Sequence, residues 1–158
     1  MKQFFKRLSA SILCISALIS IGGCSSNSAG AFEKTKWGMS AVEINDSTNR
    51  ILTTNEDGSV KSDNPGSVDF IPENEGAAKN IVYYFDKTGG LQQITVTVKP
   101  EFGNNAEKLS ETITETFNRR FKTKGVADKS ITAWQVKGSK ITLWQQSDSL
   151  LICFEKDE

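Results

Sequence analysis

An alternation of apolar and polar residues with a period of two constrains the fold of this chain most strongly. In the segment 91–99, Ile94, Val96 and Val98 alternate with two threonines and a lysine, which is typical of a β-strand with one buried face. The segment 79–86 is also strand-like, and the turn-forming sequence DKTGG separates the two. The sequence therefore predicts an antiparallel hairpin here.

Three further strand-like segments lie near the C-terminus, at 131–137, 140–146 and 149–154, with turns predicted at Gly138-Ser139 and near Asp148. Together they predict a three-stranded meander. With two-residue loops, one face would form the core with Trp134, Val136, Ile141, Leu143, Leu150, Ile152 and Phe154. The opposite face would hold Ile131, Ala133, Gln135, Thr142, Trp144, Leu151 and Cys153. That face is unusually apolar, so either the second predicted helix covers part of it or it presents an apolar patch, which usually marks a contact surface.

Two helices are predicted. Ser40 and Glu43 have the spacing of a capping box, which starts a short helix that ends near Asn49. A longer helix is predicted over 104–122, with acidic residues early, basic residues late and Gly125 beyond its end. Its apolar stripe is Ala106, Leu109, Ile113, Phe117 and Phe121. The fold class expected is α+β: one domain in which an antiparallel sheet, the hairpin plus the C-terminal meander, packs against the two helices.

The N-terminal region has a single long apolar run, 8–21, preceded by Lys2, Lys6 and Arg7. The run has 14 residues, and a helix needs roughly 20 to cross a bilayer. A basic start, an apolar stretch of this length and small residues at its end are typical of a secretory signal peptide.

The run ends in Ile21-Gly22-Gly23-Cys24, which resembles the lipobox of bacterial lipoproteins. The resemblance implies that residues 1–23 are a cleaved signal peptide and that Cys24 carries a diacylglyceryl group. Residues 24–31 would then be a lipidated flexible tether, and 32–158 a single domain. Two acyl chains give stable anchoring where one is marginal. The alternative is a plain secretion signal with a chance cysteine, which would give a freely secreted product.

Charge argues against nucleic acid as a partner. From Cys24 onward the chain has 16 basic and 19 acidic residues, whereas nucleic-acid-binding domains concentrate positive charge. A small basic cluster, Arg119, Arg120, Lys122 and Lys124, is interpreted as solvated charge that complements the helix dipole. The alternative is that this cluster contacts anionic lipid headgroups.

No catalytic, cofactor or metal site is predicted. The chain has no histidine, which excludes His-based triads and most zinc sites. It also has no glycine-rich nucleotide motif and no complete calcium loop. Cys153 lies in a strand pattern and is interpreted as a buried, inert thiol.

The segment Gly38-Met39-Ser40-x-x-Glu43-Ile44, with the order helix, strands, helix and meander, resembles small bacterial lipoproteins of the SmpA/OmlA kind. It is also similar to folds of the β-lactamase-inhibitor-protein type. What this resemblance implies is a compact α+β binding or scaffold module rather than an enzyme.

The function expected is that of a non-enzymatic binding or scaffold lipoprotein. It would be anchored to a cell membrane, facing outside the cytoplasm in the periplasm or on the cell surface. Its partner would be an unknown protein or envelope component, bound through Trp144, Leu151 and Gln135. The alternative is a solute-binding accessory lipoprotein that holds a small ligand at Trp37 or Tyr83. A third hypothesis is an enzyme that uses carboxylates or a tyrosine.

Overall fold

The computed structural model describes residues 32–72, 74–101 and 103–157, so the predicted signal peptide and tether lie outside it. The described residues form one α+β domain with two helices and an open antiparallel sheet of eight strands. None of its helices has the length and apolar character needed to cross a membrane. The elements in chain order are α1 (Ala41–Thr48), β1 (Leu52–Thr54), β2 (Val60–Ser62), β3 (Gly76–Phe85), β4 (Leu91–Pro100), α2 (Ala106–Phe121), β5 (Val126–Asp128), β6 (Ile131–Val136), β7 (Ser139–Gln145) and β8 (Leu150–Lys156).

The sheet has the strand order β1-β2-β3-β4-β8-β7-β6-β5. The first four strands pair in chain order, α2 then crosses to the far edge, and the last four strands return toward the centre. The two halves join where β4 pairs with β8. The predicted class, one α+β domain with an antiparallel sheet, is confirmed. The sheet also contains β1, β2 and β5, which have three residues each and are too short to show a period of two.

The turn between β6 and β7 differs from the prediction. Val136 pairs with Ser139, so the turn residues are Lys137 and Gly138, and Gly138 has the positive φ of 73° that glycine adopts readily. The predicted two-residue turn at Gly138-Ser139 would pair Val136 with Ile141. The observed register is therefore shifted by two residues. An even shift leaves every side chain on the same face. The predicted core face is therefore right although the turn is misplaced.

Both helices begin at side-chain caps. The Ser40 amide donates to Glu43 Oε2 at 2.7 Å, and Ser40 Oγ accepts from the Glu43 amide at 3.4 Å, so the predicted capping box is confirmed. Asn105 Oδ1 caps α2 by accepting from the Lys108 amide at 2.8 Å. Lys122, not the predicted Gly125, takes the left-handed conformation that ends α2.

The core lies on one side of the sheet and is rich in aromatic rings. Phe117 of α2 packs edge-on against Trp134 of β6, with ring centroids 5.2 Å apart. Phe70, from the loop between β2 and β3, lies 5.1 Å from Phe117. Phe32, the first described residue, lies 5.2 Å from Phe154 of β8. Helices, loop and N-terminal segment thus cover the same face of the sheet, which we call the core face.

The opposite side, which we call the second face, follows from the strand pairings. The buried side chains of α1 and α2 belong to the cluster on the core face, so α2 packs away from the second face. The prediction that the second helix covers part of this face is therefore wrong for the described residues. The second face carries Val82, Gln93, Thr95, Thr97, Ile131, Ala133, Gln135, Lys140, Thr142, Trp144, Leu151, Cys153 and Glu155.

Candidate functional site: the second face of the sheet

Two of the predicted site residues are direct neighbours on the second face. Trp144 of β7 pairs with Leu151 of β8, and the same row continues to Ile131 on β6 and to Thr97 on β4. All four side chains are half-buried. At about 4.8 Å between strands, the row is roughly 14 Å long. It forms a mostly apolar stripe that crosses four strands, which we call the apolar row.

The third predicted residue, Gln135, lies on the same face but apart from the apolar row. It is four residues from Ile131 along β6, or roughly 13 Å. Its side chain is exposed and donates from Nε2 to Asp157 Oδ2 at 2.6 Å. Across the sheet it pairs with Lys140. Gln135 therefore belongs to a polar end of the second face, and the sequence correctly placed its face but not its distance from Trp144.

A row of small side chains lies between these two ends. Ala133 pairs with Thr142, Thr142 with Cys153, and Cys153 with Thr95. Thr142 and Thr95 are buried, with 5% and 7% of their surface exposed. The small, largely buried side chains of this row thus separate the apolar row from Gln135.

The Cys153 thiol is expected to be unreactive at this position. Burial is the main cause that raises the pKa of its thiol, and the nearby charge of Glu155 raises it further. Gln93 Nε2 donates to Cys153 Sγ at 3.3 Å, which lowers the pKa by a smaller amount. A thiol that stays protonated is a poor nucleophile. Cys153 thus contributes to packing and to the shape of the second face.

Charged groups border the apolar row. Lys99 Nζ lies 3.2 Å from Asp148 Oδ2 beside the β7–β8 loop, and the hydrogen bond from Lys99 lowers the pKa of the Asp148 carboxyl. Lys140 and Glu155 are paired at the other end of the second face, next to Gln135. The second face therefore combines an apolar part with polar and charged parts, as protein-binding surfaces do.

A depression of about 620 Å³ lies at the start of α1. Asp57 and Asp86 line it, yet both carboxylates hold their own turns: Asp57 accepts from the Ser59 amide at 3.0 Å and Asp86 from the Thr88 amide at 2.8 Å. The apolar part of its lining comes from Ala41, Val42, Val60, Tyr84 and Phe85.

The alternative hypothesis predicted that Trp37 and Tyr83 hold a ligand. Both side chains instead make contacts within the domain. Trp37 Nε1 donates to Ser139 Oγ at 2.9 Å, and Tyr83 is fully buried in the core. Neither of them lines the depression.

A buried polar cluster was not foreseen from the sequence. Arg50 binds the Glu33 carboxylate, and burial together with the nearby Glu33 charge raises the pKa of Tyr83. The Tyr83 hydroxyl and Ser62 Oγ are buried without a hydrogen-bond partner. Glu33 and Arg50 are 17 positions apart in the chain, too far for a local motif to reveal the pair. Across the described part of the chain, no group of three or more His, Cys, Asp or Glu residues could hold a metal ion.

Neither a family model, nor a curated protein, nor a solved structure matches this chain. What the fold and the second face define is a class: an antiparallel α+β domain with helices on one side of its sheet and a half-buried apolar row on the other. The two family resemblances remain expectations from the residues that carry them. Cys24 lies outside the described residues.

Proposed function

We propose that this protein is a lipid-anchored, non-enzymatic binding module that works outside the cytoplasm on a bacterial membrane. Cys24 carries the lipid, and the second face binds a protein or envelope partner. The order helix, strands, helix and meander, on which the resemblance to SmpA/OmlA-like lipoproteins rests, supports a compact scaffold. The observation that carries it is the direct pairing of Trp144 with Leu151, both half-buried, on the face away from the helices.

The apolar row has the chemistry that a partner-binding surface needs. Tryptophan provides a large contact area with few rotatable bonds, and it is enriched among residues that dominate binding energy. Ile131 and Leu151 flank Trp144 on neighbouring strands, so the partner would meet a rigid, pre-organised surface rather than a loop. Partial burial also means that little further surface must be ordered upon binding.

The anchor is tested by Cys24→Ser in the full chain. We expect the variant to leave the detergent phase and the membrane fraction, or to accumulate with its signal peptide attached. The mass of the N-terminal peptide reports the diacylglyceryl group directly. Cys153→Ser is the matched control and should leave both fractionation and processing unchanged. A Cys24→Ser protein that is processed and fractionates like the original would overturn the anchor.

The binding face is tested by photo-crosslinking in intact cells. A photoreactive residue at Ala133, beside the apolar row on the second face, should give a discrete crosslinked product. The same residue at Glu111, exposed on α2, is the control and should give none. Leu151→Gln should reduce the Ala133 product at least several-fold, because it places a polar amide at an apolar contact and so weakens binding. Equal products from both positions, or none from Ala133, would reject this face.

The depression at α1 favours a second candidate, a solute-binding accessory lipoprotein. Its volume of about 620 Å³ lies within the range of small-molecule sites, which is about 300–1,000 Å³. Val42 lines it and is 70% exposed, so Val42→Trp should fill it. If a solute raises the Tm of the protein, Val42→Trp should abolish that rise and Val126→Trp, at a site 52% exposed on β5, should not. A solute screen in which no compound raises the Tm would reject this candidate.

A further inference from the structure

Positive charge is concentrated in one short stretch of the chain. Residues 119–130 contain five basic residues and one acid, Asp128, whereas the rest of the chain from Cys24 contains 11 basic and 18 acidic residues. From Cys24 onward the chain is thus acidic in sum outside this stretch, and the stretch itself carries a net charge of +4. A local reversal of sign of this size creates a field that attracts anionic surfaces.

Four of the five basic side chains are exposed: Arg119, Lys122, Lys124 and Lys129. We call these four, which lie in the last turn of α2, at its C-cap and before and after β5, the basic end. Arg120 differs, because it lies 3.1 Å from Asp69 in an ion pair. Arg119 and Arg120 occupy the last turn of α2 and complement the helix dipole, which acts only within that turn. Lys124 and Lys129 lie beyond the helix, so the dipole does not account for them.

The described chain begins close to the basic end. The Phe32 ring lies 6.3 Å from Phe70, and Phe70 lies 5.1 Å from Phe117 in the C-terminal half of α2. Asp69, next to Phe70, binds Arg120. A continuous set of side-chain contacts therefore connects the start of the domain with the end of α2 that carries the positive charge.

The proposed anchor keeps this side of the domain near the membrane. Eight peptide units connect Cys24 with Phe32, and they span at most about 29 Å when fully extended. A compact domain of this size is roughly 36 Å across. The tether is therefore shorter than the domain, so the side that carries Phe32 must stay close to the lipid surface.

We infer that the basic end is a second, electrostatic membrane contact, which binds the anionic headgroups of the bilayer in which the lipid anchor is inserted. The inference rests on the proposed anchor for its geometry. Bacterial-type anionic lipids give the surface a negative potential that attracts clustered Lys and Arg side chains within about one Debye length. Contact at the basic end would fix the orientation of the domain, which a tether alone does not.

The charge order along α2 sets the direction of this orientation. Glu107 and Glu111 are exposed in the first half of the helix, and Arg119 and Lys122 are exposed at its end. An anionic surface attracts the end and repels the beginning. The C-terminal end of α2 thus points toward the bilayer, and its N-terminal end points away from it.

Lysine acetylation followed by peptide mass spectrometry tests this inference on the full processed protein. The protein is reconstituted in phosphatidylcholine vesicles, with or without one third phosphatidylglycerol. On the anionic vesicles, Lys122, Lys124 and Lys129 should be acetylated about threefold or more slowly than on the neutral ones. Lys108, exposed in the first half of α2, is the internal control and should not change. Salt at about 1 M, where the Debye length is about 3 Å, should remove the difference.

A charge-reversal pair gives the matched variants. A lysine introduced by Thr123→Lys serves as the acetylation reporter in both variants. Lys122→Glu, Lys124→Glu and Lys129→Glu together should abolish the protection of this reporter by anionic lipid. The control triple, Lys87→Glu, Lys108→Glu and Lys137→Glu, changes the net charge by the same amount at other exposed positions and should retain it. If the two triples behave alike, the contact is a net-charge effect and the inference fails.

The anchor and the basic end are separable in the same experiment. Flotation with neutral vesicles reports the anchor, because the basic end has no partner there. If the protein does not float with neutral vesicles, the anchor proposal fails, and protection on anionic vesicles alone then decides the basic end. If it floats but the three lysines are labelled equally on both vesicle types, the basic end is overturned while the anchor stands.

Discussion

Arg50 binds Glu33 through both oxygens of its carboxylate. Arg50 Nε donates to Glu33 Oε2 at 3.1 Å, and a terminal nitrogen donates to Oε1. The guanidinium also donates to the carbonyl oxygens of Asn64, Pro65 and Ser67 in the loop between β2 and β3. With 8% of its surface exposed, Arg50 thus fastens the first described residues of the domain to a loop that would otherwise lack regular pairing.

Removing Arg50 should cost more stability than removing Glu33. Arg50→Met leaves a largely buried carboxylate and several carbonyls without a donor, and we expect a loss of about 3–5 kcal/mol in the free energy of unfolding. Glu33→Gln keeps an acceptor and should cost about 1.5–3 kcal/mol. Urea unfolding measures both. Arg120→Met is the control, since its ion pair with Asp69 is more exposed than the Arg50–Glu33 pair and is worth about 0–1 kcal/mol. Similar losses for Arg50→Met and Arg120→Met would contradict the special role of Arg50.

Asn118 should be required for its acceptor oxygen rather than for its shape. Its Oδ1 accepts from the Gly125 amide at 2.8 Å and from Trp134 Nε1 at 2.9 Å. Asn118→Leu leaves both donors without a partner and should lower the free energy of unfolding by about 2 kcal/mol. Asn118→Asp retains an acceptor and should cost less than half as much. Tryptophan fluorescence during urea unfolding reports both variants, and an Asp variant as unstable as the Leu variant would argue against this explanation.

The sequence predicted those strands and helices whose apolar–polar pattern extends over at least six residues. The alternation at Ile94, Val96 and Val98 placed these side chains on the buried face of β4, where each is fully buried. The capping box at Ser40 and Glu43 was also recognisable, because its two residues are only three positions apart. These signals are local, so they survive without knowledge of the tertiary structure.

The parts that the sequence did not predict depend on distant partners. Arg50 has partners 14 to 17 positions away on both sides, and β5 exists only because it pairs with β6. The candidate site lies between these cases. The predicted two-residue turn near Asp148 pairs Trp144 with Leu151, as the structure does. The register between β6 and β7 was predicted two residues off, so the sequence did not reveal that Ile131, rather than Ala133, pairs with Trp144 and that Gln135 lies four residues further along β6.

Cys153 should react slowly with alkylating reagents in the folded protein. Burial raises the pKa of its thiol, so the reactive thiolate is scarce near neutral pH. We expect iodoacetamide to modify Cys153 roughly 100-fold or more slowly in the folded protein than in urea. Peptide mass spectrometry resolves this cysteine from Cys24. Leu151→Ala, which opens the surface on the same strand, should accelerate the reaction, whereas Lys137→Ala should not. A rate in the folded protein equal to that in urea would show that the thiol is accessible and ionised.

Acid should destabilise the loop between β3 and β4 through Asp86. Hydrogen bonds from the Thr88 hydroxyl and from the Gly90 and Thr88 amides lower the pKa of this carboxyl from its ordinary value of 3.8. A lowered folded-state pKa means that the stabilisation is present above the unfolded-state value and is lost as the pH falls through the folded-state value. The Tm should therefore fall between about pH 5 and about pH 2.

Asp86→Asn removes the titrating group and keeps an acceptor oxygen. Its Tm should be lower than that of the original protein at neutral pH, because a neutral amide accepts weaker hydrogen bonds than a carboxylate. The two Tm values should approach each other as the pH falls, since protonated Asp86 is also neutral. Asp46→Asn, at an exposed position of α1, is the control and should lower the Tm at neutral pH less than Asp86→Asn does. A constant difference between Asp86→Asn and the original protein across this pH range would show that the loop owes its stability to something other than the charge of Asp86.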